Sequence, residues 1–262
     1  AEMGPERFPF NGTSASELVA AATVAGYFDP WSAHNMNRWN PDTPETPAPR
    51  TRGNLDAIQA MYRSGLVFEG RAGIPTINWH PYLEHRLDMH NAHQSFAVRQ
   101  RIRAAMGNAD HQVIWFTDMP EIKGNDFSQI PMALEVMDEW MERIRANPDR
   151  GIVANRPGRA VDSCFDTSGE PIASGPDVWD GILDDRTPGA CTQRFPMHGT
   201  ARTVAGGPIE GGIFKCALKS VDTALADGTY GSWQPDAQQI GSLRSIFPEG
   251  VCDYSRPDRG RP

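Results

Sequence analysis

The sequence predicts an α/β protein, and three observations carry the prediction. Strand-like and helix-like stretches alternate between residues 73 and 146, each strand being short, apolar and bounded by turn residues. Strand, helix, strand, helix in succession is the pattern of a parallel sheet covered by helices. The 25 glycines and 22 prolines, about 18% of the chain against a typical ~12%, gather near 40–50 and after 148, so the regular core lies between them.

Taken in order, residues 1–13 read as irregular. Ser14 and Glu17 have capping-box spacing ahead of an apolar run, predicting a short helix to about Gly26. Phe28, Trp31 and Trp39 followed by Pro41, Pro44, Pro47 and Pro49 predict an extended segment. Residues 1–53 are thus expected to wrap a partner surface. Asn54 can cap a helix with Leu55, Ile58 and Met61 or Tyr62 on one face, ending near Gly65. A buried strand is predicted over 73–79, with Pro75 near its start. A helix over 95–106 would turn Phe96, Ile102 and Ala105 inward and Arg99, Arg101 and Arg103 largely outward. A second strand covers 111–117. Ser128 then caps a long helix to Ala146, whose apolar positions 130, 133/134, 137, 140/141 and 144 follow the 3.6-residue period. Residues 54–148 form the expected core. Residues 149–262 read as a loop-rich tail with short helices near 218–226 and 236–247.

Composition bounds the function. A net charge of −8, with 33 acidic against 25 basic residues, argues against a nucleic-acid partner. No apolar run is long enough to span a bilayer, and residues 1–5 carry no leader pattern, so no signal peptide is expected to remain. Seven Trp, 11 Phe and five Tyr are too many for a solvated coil. Cys164, Cys191, Cys216 and Cys252 form no C-x-x-C pair, and an even number in a loop-rich region fits two disulfides in an oxidising compartment, secreted or periplasmic. The pairing stays open, 164–191 with 216–252 being the most local choice.

Chemistry concentrates after the first strand. His80, His85, His90, His93 and His111 fall within 32 residues, and ligands in parallel sheets gather at the carboxyl ends of strands. Asp88 and His90, two apart, can project to one side of an extended loop, the carboxylate orienting an imidazole that titrates near neutrality. A solvated polar loop is the plain alternative. His90 and His93, with His85, Glu84 or Asp88 as a third ligand, offer a metal site instead, although H-E-x-x-H is absent. G-x-S-x-G and a phosphate-binding loop are both missing, and the glycines between Gly206 and Gly212 read as a turn. Arg99, Arg101 and Arg103 read as a charged helix face, or else as a carboxylate or phosphate site.

Several stretches resemble a family of large, secreted bacterial proteins of poorly defined activity with a tannase-like α/β-hydrolase core. They are Ile74 to Asn78, Asp88 to His90, Ser95 and Phe96 with Arg99 and Arg101, and Gly107 to Asp110. In the tail they are Val204 to Pro208, Phe214 to Cys216 and Ile246 to Asp253. The resemblance covers roughly residues 52–255. It implies the C-terminal part of an α/β-hydrolase sheet with covering helices, followed by a loop-rich, disulfide-bearing tail. It also implies a subunit or processed fragment of a serine ester or amide hydrolase that needs no cofactor. Asp88 would be the triad acid and His90, or His93 in its place, the general base. The serine would come from a second chain, in a heterodimer or higher assembly, and the substrate would be a small-molecule or polymeric ester or amide. The usual hydrolase histidine after the last strand is missing from 116–126. The rival readings are a metal-dependent hydrolase using His85, His90 and His93, and a non-catalytic binding or scaffolding subunit.

Overall fold

A computed structural model describes residues 53–84, 91–119, 129–197, 201–231 and 233–262. The helix expected at 14–26, the proline-rich segment, Ser128, His85, Asp88 and His90 lie outside them. The described residues fall into two compact units, one from Phe68 to Gly199 and one from the residues before and after that span.

The first unit is built on a four-stranded sheet in the order β1-β2-β3-β4: β1 Thr76–Tyr82, β2 Gln112–Asp118, β3 Ser163–Phe165 and β4 Pro171–Ser174. β1, β2 and β3 run parallel, with Trp79 opposite Trp115 and Trp115 opposite Ser163. β4 returns antiparallel to β3. The mixed α/β class with a mostly parallel sheet is as the sequence predicts. The first strand starts three residues later than expected, placing Pro75 just before it and Pro81 within it. Among the described residues β1 is an edge strand, where a residue that cannot donate to the ladder is tolerated.

Side chains alternate across the sheet. One face carries Ile77, Trp79, Val113, Trp115 and Phe165, which pack with Val136 and Trp140 of helix α3 (Gln129–Ala146) and with Ala160. Positions 133, 140 and 144 face the core as expected, whereas 130 and 134 do not. Val136 and Trp140 are buried while Ile130 and Leu134 are 40% and 66% exposed. Buried, the large indole of Trp140 must find an acceptor for its Nε1–H, and it donates to the Ile152 carbonyl at 2.9 Å.

The other face carries His80, Tyr82, Ile114 and Phe116 beneath helix α2 (His93–Met106) and Trp179. Phe116 lies 4.7 Å from the Trp179 ring and 5.7 Å from Phe96. Phe96 and Ile102 are inward as predicted, but Ala105 is exposed and Arg99 is buried. The exchange is possible because Arg99 meets Asp162 and Gln112, so its charge and all three guanidinium nitrogens are satisfied. α2 ends at Gly107, whose φ of 84° closes the last turn on the Arg103 carbonyl. Gly70 presses on the same helix: a Cβ there would sit 2.0 Å from the Arg101 carbonyl oxygen. Cys164, on this face of β3, is bonded to Cys191 in the short helix α5 (Ala190–Arg194), which follows α4 (Gly151–Ala154).

The second unit contains α1 (Leu55–Arg63), α6 (Ala201–Val204), a β5–β6 ribbon (Ala217–Lys219, Val251–Asp253), α7 (Val221–Ala226) and α8 (Ala237–Ile246). Asn54 caps α1 as its sequence predicts, accepting from the Ala57 amide. The stretch expected to be one helix from 218 is a strand followed by a helix. Ser220 breaks it, accepting from the Thr223 amide as an N-cap. Asp236 and Gln239 form a full capping box on α8. Cys216 and Cys252 staple the ribbon, so the disulfides are the most local pairs. Tyr62 of α1 donates to Asp258 at 2.6 Å, and Asp258 also accepts the Lys215 and Gly260 amides, fixing the C-terminal residues.

Candidate functional site

The carboxyl ends of β1 and β2 hold the described part of the expected site. The last residue of β1, Tyr82, is buried and donates to the Pro196 carbonyl at 2.7 Å. Burial pushes its phenol up to about 12, and the nearby Glu84 and Asp118 carboxylates add to the rise. Glu84 is buried, and its Oε1 accepts the Ala92 amide at 2.6 Å. That bond ties together the two ends of the chain span carrying His85, Asp88 and His90, and those three residues lie outside the described ones.

His93 is the first residue of α2 and is 5% exposed. Its helical neighbours Ser95 and Phe96 are buried too, and Ser95 bonds Asn78 of β1 at 3.0 Å, which fixes the start of the helix against the strand. The five clustered histidines do not form one group. His80 lies within β1, its ring 5.1 Å from Phe116. His111 precedes β2 and bonds the first residue of β1, so it sits at the amino edge, a strand length of roughly 20 Å from Glu84.

Two polar features at the carboxyl edge were not singled out in the sequence. Asp118, at the end of β2, is ion-paired to Arg194, whose guanidinium lies 5.6 Å from the centre of the Phe195 ring. Thr117 accepts from the Trp79 indole at 2.9 Å and donates to Gln129 Oε1 at 2.7 Å. Strand-end position marks Asp118 in the sequence; nothing there marks Arg194, 76 residues away. Glu84 and Asp118 thus lie at the carboxyl edge of the sheet, the first bonded to the Ala92 amide beside His93 and the second paired to Arg194.

Among the described residues no group of three His, Cys, Asp or Glu side chains could hold a metal ion. No described helix is long and apolar enough to cross a membrane. No curated protein and no solved structure matches the chain. Residues 25–262 match the model of a tannase-like family of unknown function (DUF6351), a span that takes in both units and both disulfides. With that coverage, the chain belongs to this tannase-like family.

Proposed function

We propose that the chain is the acid- and base-supplying part of an extracytoplasmic serine hydrolase that cleaves esters or amides. The observation that carries the reading is membership of a tannase-like family. The parallel sheet supports it, because the carboxyl end of β1 leads directly into the Asp88–His90 span. In this reading the nucleophile belongs to a second chain, which arises by processing or as its own subunit; that these 262 residues hold no G-x-S-x-G supports it. The two disulfides fit an extracellular protein.

In this mechanism Asp88 orients the imidazole of His90, and the imidazole takes the proton of the partner serine as its Oγ attacks the substrate carbonyl. The proton then passes to the leaving alcohol or amine, leaving an acyl-enzyme. Water, deprotonated by the same imidazole, attacks the acyl carbon, releases the acid and restores the serine. Glu84, by bonding the Ala92 amide, fixes the base of the span that carries both groups. His93 takes the base role if His90 does not.

A fluorescent phosphonate added to the purified complex tests the division of labour. Label on a second chain and none on this one is expected; label on this chain would overturn the assignment. His90→Ala, checked for folding by circular dichroism, is expected to lower kcat by at least 10²-fold, and full turnover would remove His90 from the mechanism.

A further inference from the structure

The amino edge of the sheet, opposite the proposed reaction site, carries a cavity of about 290 Å³. It lies between the second half of α2, the start of β2 and the residues entering β3. Its charged lining is Arg99, Arg103 and Arg156 against Asp110 and Asp162. Arg99 and Asp162 neutralise each other, at 2.5 and 2.8 Å. The Arg103 side chain makes no ion pair or hydrogen bond among the described residues, and the Arg156 side chain makes only one, to the Asp110 carbonyl at 2.8 Å. Two guanidiniums therefore retain donors without acceptors, while Asp110 supplies the one carboxylate without an ion-pair partner there.

A second observation points the same way. Gln112, 3% exposed, belongs to the same lining, and its Oε1 is taken by Arg99. Its buried amide Nε2 has no hydrogen-bond partner, and a buried donor without an acceptor costs roughly 1–3 kcal/mol. The remainder of the lining is apolar, from Ala109, Val113, Val161 and Pro176.

We propose that this cavity binds a small organic monocarboxylate, its carboxylate between Arg103 and Arg156 and its carbon body on the apolar wall. Three guanidiniums against two carboxylates leave the lining cationic by one charge, so a monoanion brings it to neutrality and a phosphate dianion overshoots. Guanidinium and carboxylate match as planar, bidentate partners. The volume is at the small end of ligand pockets, enough for a single ring or a short branched chain. The proposal does not depend on the hydrolase reading, since none of these residues lies at the carboxyl edge.

Titration calorimetry of the full chain with sodium benzoate, and separately with inorganic phosphate, tests it. Saturable one-to-one benzoate binding is expected, weaker by roughly tenfold for each guanidinium removed in Arg103→Ala and Arg156→Ala. Arg103→Lys should recover part of the loss, and unchanged melting temperatures would show that the variants fold. Three results would overturn the proposal: no benzoate heat at millimolar concentration, equal affinity in the double variant, or phosphate binding tighter than benzoate.

Discussion

Arg99 and Asp162, 63 residues apart, form a bidentate ion pair with side-chain exposures of only 7% and 13%. Asp162 Oδ1 also accepts the Ile114 amide at 2.8 Å, so one carboxylate joins α2, β2 and the entry to β3. Removing one partner leaves the other buried and uncompensated. Asp162→Ala is expected to cost about 3–5 kcal/mol, measured by urea unfolding. Arg99→Met with Asp162→Leu should cost less than the two single changes added together, because the double variant buries no lone charge.

Thr117 is the centre of a second buried network. Thr117→Val keeps the volume but deletes the group that accepts from Trp79 and donates to Gln129. Two buried polar atoms lose a partner, so a loss of about 2–4 kcal/mol is expected. Thermal unfolding of Thr117→Val beside Thr117→Ser, which keeps the hydroxyl, would separate the lost bonds from altered packing.

Alkaline titration should unfold the protein through its phenols. Burial, followed by the Asp258 carboxylate that accepts its proton, pushes the Tyr62 phenol up to about 12 from 10.0, and Tyr82 rises to about the same value. A phenol whose folded value is raised contributes stability that is complete below pH 10 and is lost as pH climbs toward 12. Burial pushes the Asp258 carboxyl up, but hydrogen bonds from Tyr62 and from the Gly260 and Lys215 amides outweigh it and leave it below the ordinary range. Its contribution is therefore present above the usual carboxylate value and disappears as pH falls through the lowered one. Absorbance at the phenolate band should show Tyr62 and Tyr82 ionising late. In Tyr62→Phe the alkaline loss around the C-terminal residues should vanish, with that at Tyr82 retained.

The two disulfides should differ in reducibility. Cys164 and Cys191 are fully buried, whereas Cys216 and Cys252 are half-exposed on the ribbon. A thiolate must reach the sulfur to attack it, so graded dithiothreitol with alkylation and peptide mass mapping should open 216–252 first. Loops of 27 and 36 residues are closed by them, worth roughly 3–4 kcal/mol each in the chain-entropy account. Cys164→Ala with Cys191→Ala is expected to lower the melting temperature of the sheet-bearing unit.

Chelation separates the hydrolase readings. Prolonged treatment with a strong chelator is expected to leave turnover unchanged. Activity that disappears and returns with stoichiometric zinc would favour the His85, His90 and His93 site instead.

Local chemistry fixed much of the fold in advance. Asn54 and Asp236 cap the helices they precede, because a short polar side chain beside free amides is satisfied without any distant residue. Parallel pairing of β1 and β2 followed from strand and helix alternating at short range. The two disulfides, too, could be anticipated from the count and setting of the cysteines. Only tertiary structure decided the rest. Arg99 turns inward because Asp162 waits there, and the indole proton of the buried Trp140 is accepted by the Ile152 carbonyl, which no local pattern announces. His111 leaves the cluster suggested by its number because β2 begins where β1 begins, putting it at the opposite edge from Glu84. Spacing along a chain governs contacts within a turn or two; a partner 12, 63 or 76 residues away is set by how sheets and helices pack.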